Sequence, residues 1–221
     1  MVVKAGPMPI YSNLSLYLDA ANANSYSGTG NTWYDLSGNS NNGSIANSAS
    51  YSTTNKGSFY FNGSSQYISV NNNSNLIFSS SDAMSLSVWF KPTVLQNVWT
   101  GIVTKSRDVS PWYGIWINPS NQIVWGHPLS NMIAQVTDTN WQNVVITKDT
   151  SGHYIYVNGV LKNSSSSTLT ANGTGALYIG GAASVSEYFT GYVGNVKVYN
   201  NALSQTQILQ NFNAFNGRYG I

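Results

Sequence analysis

Between residues 84 and 90 the chain reads MSLSVWF, and its strict alternation narrows the fold more than any other feature. Met84, Leu86, Val88 and Phe90 fall on one side of an extended strand, with Ser85, Ser87 and Trp89 on the other. A period of two buries one face of a sheet and cannot bury one face of a helix. The pattern returns in HYIYVNGVL, where Ile155 and Val157 oppose Tyr154 and Tyr156, and Asn158-Gly159 predicts a two-residue hairpin turn. Further strands are predicted at 16–19, 58–62, 67–70, 101–105, 113–117, 122–126, 142–148, 177–181 and 192–199. Pro92 is expected to end the strand that begins at Met84. Roughly a dozen strands without βαβ spacing fit an all-β sandwich of two antiparallel sheets.

One helix is predicted near the end. Ser204 and Gln207 form a capping box, and Ile208 and Phe212 share a face, which suggests a short C-terminal helix plugging an edge of the sandwich. The stretches NSNNGSIANSASYSTTN and NSSSSTLTANGTG read as polar loops. Residues 1–13, with Pro7 and Pro9, read as an N-terminal arm, and residues 14–221 as one domain.

Charged residues make up 7% of the chain, against about 25% in ordinary soluble proteins, and the net charge is +2. No Lys/Arg cluster occurs, so nucleic acid and anionic membrane surfaces are not expected partners. No run approaches the ~20 apolar residues of a membrane span, and from Met1 onward no secretion-signal core is visible. Without cysteine there is neither a disulfide framework nor a thiolate metal site.

Catalysis has few candidates. Glycosidic hydrolysis usually needs two carboxylates. The only glutamate is Glu187, and no two of the six aspartates lie within ten residues of each other. A glycoside hydrolase is therefore the weakest alternative. His153 reads as a surface residue at a strand start, whereas His127, in GHP after a strand, could line a site.

The stretch WYDLSGNSNNG places Asp35, Ser37, Asn39 and Asn41 at every second position, like the first half of an oxygen-ligand calcium loop. Positions six and twelve are Ser40 and Ala46, where such a loop needs Gly and Glu. Calcium is thus a candidate cofactor held by Asp35 and Asn39, with Asn62 or Asp19 folding in beside them. The favoured reading is a metal-free turn, anchored by Trp33 and Leu36 and turned by Gly38, Asn39, Asn42 and Gly43.

Trp99, Trp112, Tyr113, Trp116 and Trp125 crowd a 27-residue span. Exposed indoles beside Asn and Gln suit a sugar, which offers an apolar ring face and hydroxyls. Trp99, Trp112, Trp116, Trp125 and His127 are the candidate carbohydrate-binding residues; the competing reading puts most of these rings in the core.

In chain order, SLYLDAANANSY, WYDLSGNSNNG, SFYFNGSSQYISV, MSLSVWFKP, WQNVVITKD, HYIYVNGVL, LYIGG and FTGYVGNVKVYNNALSQTQI form a series. Together they resemble the concanavalin A-like, laminin-G-type jelly-roll family. The resemblance implies a two-sheet antiparallel jelly roll, usually non-catalytic and used in binding and adhesion, with calcium common. Family calcium sites often lie after the FxFxG-type strand, where this chain has Ser65 and Gln66 instead of an acidic residue. YLDAANANSY, WYDLSGN and the terminal NFNAFNGRYGI are similar to domains of tailed-bacteriophage structural proteins. That similarity implies a non-catalytic virion, decoration or fibre protein, partnered by other virion proteins or copies of itself and contacting glycans. The alternative is a carbohydrate-binding adhesion module; either would act on a virion or at the cell surface.

Overall fold

The computed structural model describes residues 7–107, 109–127 and 130–221, apart from the side chains of 127, 130, 131, 136 and 183. Its strands are β1 (Leu14–Asp19), β2 (Thr32–Trp33), β3 (Gly43–Ala46), β4 (Ser50–Ser52), β5 (Ser58–Asn62), β6 (Tyr67–Val70), β7 (Met84–Pro92) and β8 (Thr100–Lys105). They continue as β9 (Tyr113–Ile117), β10 (Gln122–His127), β11 (Ser130–Val136), β12 (Gln142–Asp149), β13 (Gly152–Val157), β14 (Val160–Ser165), β15 (Leu177–Ile179) and β16 (Thr190–Tyr199). A single α-helix among the described residues, α1 (Gln205–Tyr219), follows.

The strands form two eight-stranded antiparallel sheets. One runs β14-β13-β12-β7-β16-β5-β4, and β1 pairs with the second half of β16 beyond the end of β5. The other runs β11-β10-β9-β8-β15-β6-β3-β2. The alternation that predicts β7 decides its faces. Met84, Leu86, Val88 and Phe90 meet Ile115, Ile123 and Trp125 of the opposite sheet in one core. Each such fully buried side chain contributes roughly 1.5–3 kcal/mol. Asn158 and Gly159 both have positive φ, 52° and 78°, as the predicted hairpin between β13 and β14 requires. Pro92 ends β7 as expected, as its last residue.

The segments β2, β3, β4, β11 and β14 have no alternating apolar signal. Ser44 and Asn163, for example, sit in strands within stretches expected to be loops. Their backbones are recruited by neighbours: β3 pairs with β6 and β14 with β13. No described helix is long and apolar enough to cross a membrane.

The helix departs from expectation in length and place. Its capping box is present, with the Ser204 hydroxyl accepting from Gln207 N and the Gln207 side chain accepting from Ser204 N. It runs for 15 residues and covers the outer face of the first sheet instead of plugging an edge. The added turns carry Phe215 and Tyr219, whose burial repays continuation through Gly217. Tyr219 stacks on Trp89 at 4.3 Å, and Arg218 pairs with buried Asp19 at 2.7 Å. The described part of the arm, residues 7–13, meets this same helix: Ile10 N donates to Asn211 Oδ1, and Gln210 Nε2 donates to the Met8 carbonyl.

Beneath α1 lies Lys197, 2% exposed, with its ammonium 4.8 Å from the Tyr17 ring centre and 4.2 Å from that of Phe215. Burial pushes its pKa down to about 7, with Asp19 opposing the shift and Arg218 adding to it. An unfolded lysine titrates near 10.5. Between those two values the unfolded chain holds a proton the folded chain has lost, so stability rises with pH there. Below about pH 7 the cost of the buried charge is complete.

The WYDLSGNSNNG loop is stitched to β1. Asp35 Oδ1 accepts from Tyr17 N and Ser37 N, and Oδ2 accepts from the Ser37 hydroxyl and Asn41 N, all at 2.7–2.9 Å. Asn39 Nδ2 donates to the Leu14 and Ser15 carbonyls. Asn62 belongs to a different turn, where Oδ1 accepts from Ser64 N, Ser65 N and Gln66 N. The structure therefore does not gather Asp35, Asn39 and Asn62 into one oxygen cluster: hydrogen bonds commit Asp35 and Asn39 to β1 and their own loop, and Asn62 to a separate turn. A carboxylate whose lone pairs face four donors does not fit a calcium ion. Trp33 anchors the loop in the core, 4.9 Å from Phe59. The positive φ values fall on Gly38 and Ser40, not on Asn39, Asn42 or Gly43. Gly43 is needed for space, since a Cβ there would meet Ile68 at 2.7 Å.

Two outcomes follow from these contacts. In urea unfolding, Lys197→Met is expected to add about 1–4 kcal/mol of stability at pH 6 and to flatten the rise between pH 7 and pH 10. An unchanged pH slope would contradict the account of Lys197. Asp35→Ala is expected to cost about 2–3 kcal/mol, while excess calcium or chelator leaves the wild-type unfolding temperature where it was.

Candidate functional site

On the second sheet the outer face is stripped of bulk around one tryptophan. β9 and β10 pair so that Gly114 faces Gly126 and Trp116 faces Val124, while Gly101 of β8 pairs with Trp116 on its other side. Tyr113, Ile115 and Ile117 point inward, which leaves Gly114 and Trp116 outside. The Trp116 indole lies down over the glycines: a Cβ at Gly126 would meet its Cε3 at 2.6 Å, and one at Gly114 its Cζ3 at 2.9 Å. A larger residue at Gly126 would lift the ring from the sheet, and one at Gly114 would strike the Val103 carbonyl of β8 as well as the ring.

Trp112, just before β9, meets Trp116 edge-on with centroids 5.2 Å apart. Arg107, after β8, lays its guanidinium over the Trp112 ring at 4.6 Å. The fourth member comes from far along the chain. Glu187 Oε2 accepts from Trp116 Nε1 at 2.7 Å and from Arg107 Nε at 3.2 Å, and Oε1 accepts from Arg107 Nη2 at 2.8 Å. Its own backbone is held against the sheet, with Gly101 N donating to the Glu187 carbonyl at 2.9 Å. One carboxylate thus fixes an indole and a guanidinium, and the guanidinium fixes a second indole.

These groups and Trp99 line an open cavity of about 230 Å³, with Gly126 in its wall. That is smaller than the about 300–1,000 Å³ typical of drug-sized ligands, and suits a group the size of one ring. Trp99 is 38% exposed and Trp112 half-buried, whereas Trp116, at 2%, serves as support.

Of the sequence candidates, the structure brings Trp99, Trp112 and Trp116 together. Trp125 must be corrected. It pairs with Ile115 on the inward face of β10, is fully buried and stacks at 6.3 Å on Tyr113, so it offers no ring face to a ligand. His127 ends β10, and its side chain lies outside the described residues. His153, expected at the surface, is buried beside Trp125, with Nδ1 3.0 Å from the Ser167 carbonyl. Burial holds its pKa below the usual histidine range, and Lys148 adds to that shift against the Ser167 contact.

Arg107, Glu187 and Gly126 were not among the sequence candidates. The one available signal was that Glu187 is the sole glutamate in a chain poor in charge. Nothing local ties it to Trp116, 71 residues away. Among the described residues there is no group of three or more His, Cys, Asp or Glu that could hold a metal ion.

Solved structures share this fold. The binding domain of Paraclostridial Mosquitocidal Protein 1 superposes with a TM-score of 0.75 at 16% identity, over 93% of this chain and 53% of that one. Domain 4 of AbnA, a GH43 extracellular arabinanase from Geobacillus stearothermophilus, solved with arabinotriose, gives 0.67 at 17% identity, over 89% and 97%. Trypanosoma rangeli sialidase with sialic acid gives 0.72 at 16% identity, over 94% and 34%. The chain therefore spans about half of the toxin binding domain and about a third of the sialidase. At these identities the likeness is one of fold, and it reaches both binding domains and an enzyme. A search of curated proteins finds no match. Residues 62–209 match the family described as the concanavalin A-like lectin/glucanases superfamily, and the chain belongs to it.

Proposed function

We propose that this chain is a carbohydrate-binding module that holds a sugar ring against Trp112 and Trp99 without transforming it. The observation that carries the reading is the open cavity lined by two accessible indoles, Trp99 and Trp112, of which Trp112 is held in place by Trp116 and by Arg107, both fixed by Glu187. Stacking on a sugar face needs rings that do not have to be ordered at the moment of binding. Here the ordering is already in the fold. The arabinanase domain of similar fold, solved with arabinotriose, supports the reading by analogy.

The non-catalytic part rests on the carboxylate count. Glu187 is the single carboxylate among the described residues lining the cavity, and it is engaged by Arg107 and Trp116. Hydrolysis of a glycoside by the usual routes needs a second one. A fibre or decoration module of a virion that attaches to glycans would use the same face, so that assignment adds a setting outside the cell to this reading.

The test is titration with a panel of oligosaccharides, followed by the variants Trp99→Ala and Trp112→Ala. Each is expected to weaken the best ligand by about tenfold or more while the unfolding temperature stays near wild type. Full affinity in the Trp112→Ala protein would remove this site from the function.

A further inference from the structure

The proposed site contains one full positive and one full negative charge, and their arrangement bears on which sugars can enter. Arg107 directs both Nε and Nη2 at Glu187 and lays its flat face on Trp112, so its side-on edge and one face are taken. The Glu187 side chain is 12% exposed and that of Arg107 is 27% exposed. The pair closes on itself, and the described residues lining the cavity carry no net charge.

Building on the carbohydrate-binding reading, we propose that Glu187 is the specificity-determining residue of this site, admitting uncharged sugars and excluding sugars that bear a carboxylate. The chemistry is one of competition. A uronate or other acidic sugar finds the Nε/Nη2 edge of Arg107 already held by Glu187 and can reach only the remaining end-on donors. That sets a second carboxylate close to the largely buried carboxylate of Glu187, whose one counter-ion it must share. Trp116 Nε1 also donates to Glu187, but a neutral indole does not balance the added charge. An uncharged sugar asks for none of this, because it stacks on the indoles and hydrogen-bonds at their rim.

Exclusion by an internal counter-ion has a signature that exclusion by shape lacks. Glu187→Gln is close to isosteric and keeps a carbonyl oxygen for Trp116 Nε1, yet it leaves the guanidinium uncompensated at the cavity wall. The loss of one negative charge is then expected to turn an acid-excluding site into an acid-accepting one.

Matched oligosaccharides that differ only at C6, hydroxymethyl against carboxylate, in the gluco, galacto and manno series, test this by calorimetry on the wild type and on Glu187→Gln. The readout is the ratio of acidic to neutral Kd. The wild type is expected to bind a neutral member at least tenfold more tightly than its acidic twin, and Glu187→Gln to shrink that ratio at least tenfold. A wild type that binds the acidic twin equally well or better overturns the proposal while leaving carbohydrate binding intact. A ratio unchanged by Glu187→Gln also overturns it, since discrimination would then come from shape. Binding of no member of any pair sinks the carbohydrate reading and this proposal with it. Should Glu187→Gln fail to fold, a salt series on the wild type decides. An acidic-to-neutral Kd ratio that shrinks as salt rises supports the proposal, because screening weakens the repulsion from Glu187; a ratio that does not respond to ionic strength, or acidic binding that appears only at low salt, overturns it.

Discussion

The two sheets share one core, and that constraint organises everything else in the molecule. A strand has two faces, and here the inward face of each sheet is committed to the other: Leu86, Val88 and Phe90 on one side, Ile115, Ile123 and Trp125 on the other. Each outward face then needs its own solution. The first sheet hides its outer face under α1, where Trp89, Trp141, Phe215 and Tyr219 form a smaller second core. Among the described residues no α-helix covers the second sheet. It removes side chains at Gly114 and Gly126 and lays Trp116 across the gap. The site is what remains when a sheet covers itself incompletely.

Few charges are present, and several of them are buried. Lys105 donates to the Gly173 and Gly175 carbonyls, and Lys148 to those of Ser79 and Asp82. Such contacts disperse an ammonium charge over backbone dipoles. Lys197 is held differently, between aromatic rings, and burial lowers its pKa to about 7 against the opposing pull of Asp19. Besides Asp19–Arg218, Arg107 and Glu187 form the other ion pair among the described residues, and it lies in the cavity wall. In so sparsely charged a chain, changing one ion alters the field of a whole site.

Most of the fold was legible because burial on one face of a strand leaves a trace in the sequence. The alternation of β7 and β13 and the Asn-Gly turn were sufficient for both elements. The short strands β2, β3 and β4 leave no trace, since backbone pairing to a neighbour asks nothing of their side chains. The end of α1 was obscured by Asn216 and Gly217, which favour helix termini, and only the burial of Tyr219 carries the helix through them. At the site, YGIWI could be read by parity, because glycine at 114 marks the outer face that Trp116 shares. In QIVWG both faces carry apolar residues, so nothing local told Trp125 from an exposed platform. Glu187 was visible as the only glutamate, but its pairing with Trp116 arises from the register that brings β15 beside β8 and from the turn that follows β15.

The central claim is that a sugar ring seats on Trp112 and Trp99 above a fixed Trp116. The chain has seven tryptophans, and each indole N–H gives its own signal in a two-dimensional nitrogen–proton NMR spectrum. On titration with a bound neutral oligosaccharide, the account predicts that the Trp99 and Trp112 signals move most and Trp116 less. Trp33, Trp89, Trp125 and Trp141, all buried elsewhere, should stay in place. Saturable binding that leaves Trp99 and Trp112 unmoved, or that moves Trp141 instead, would contradict it.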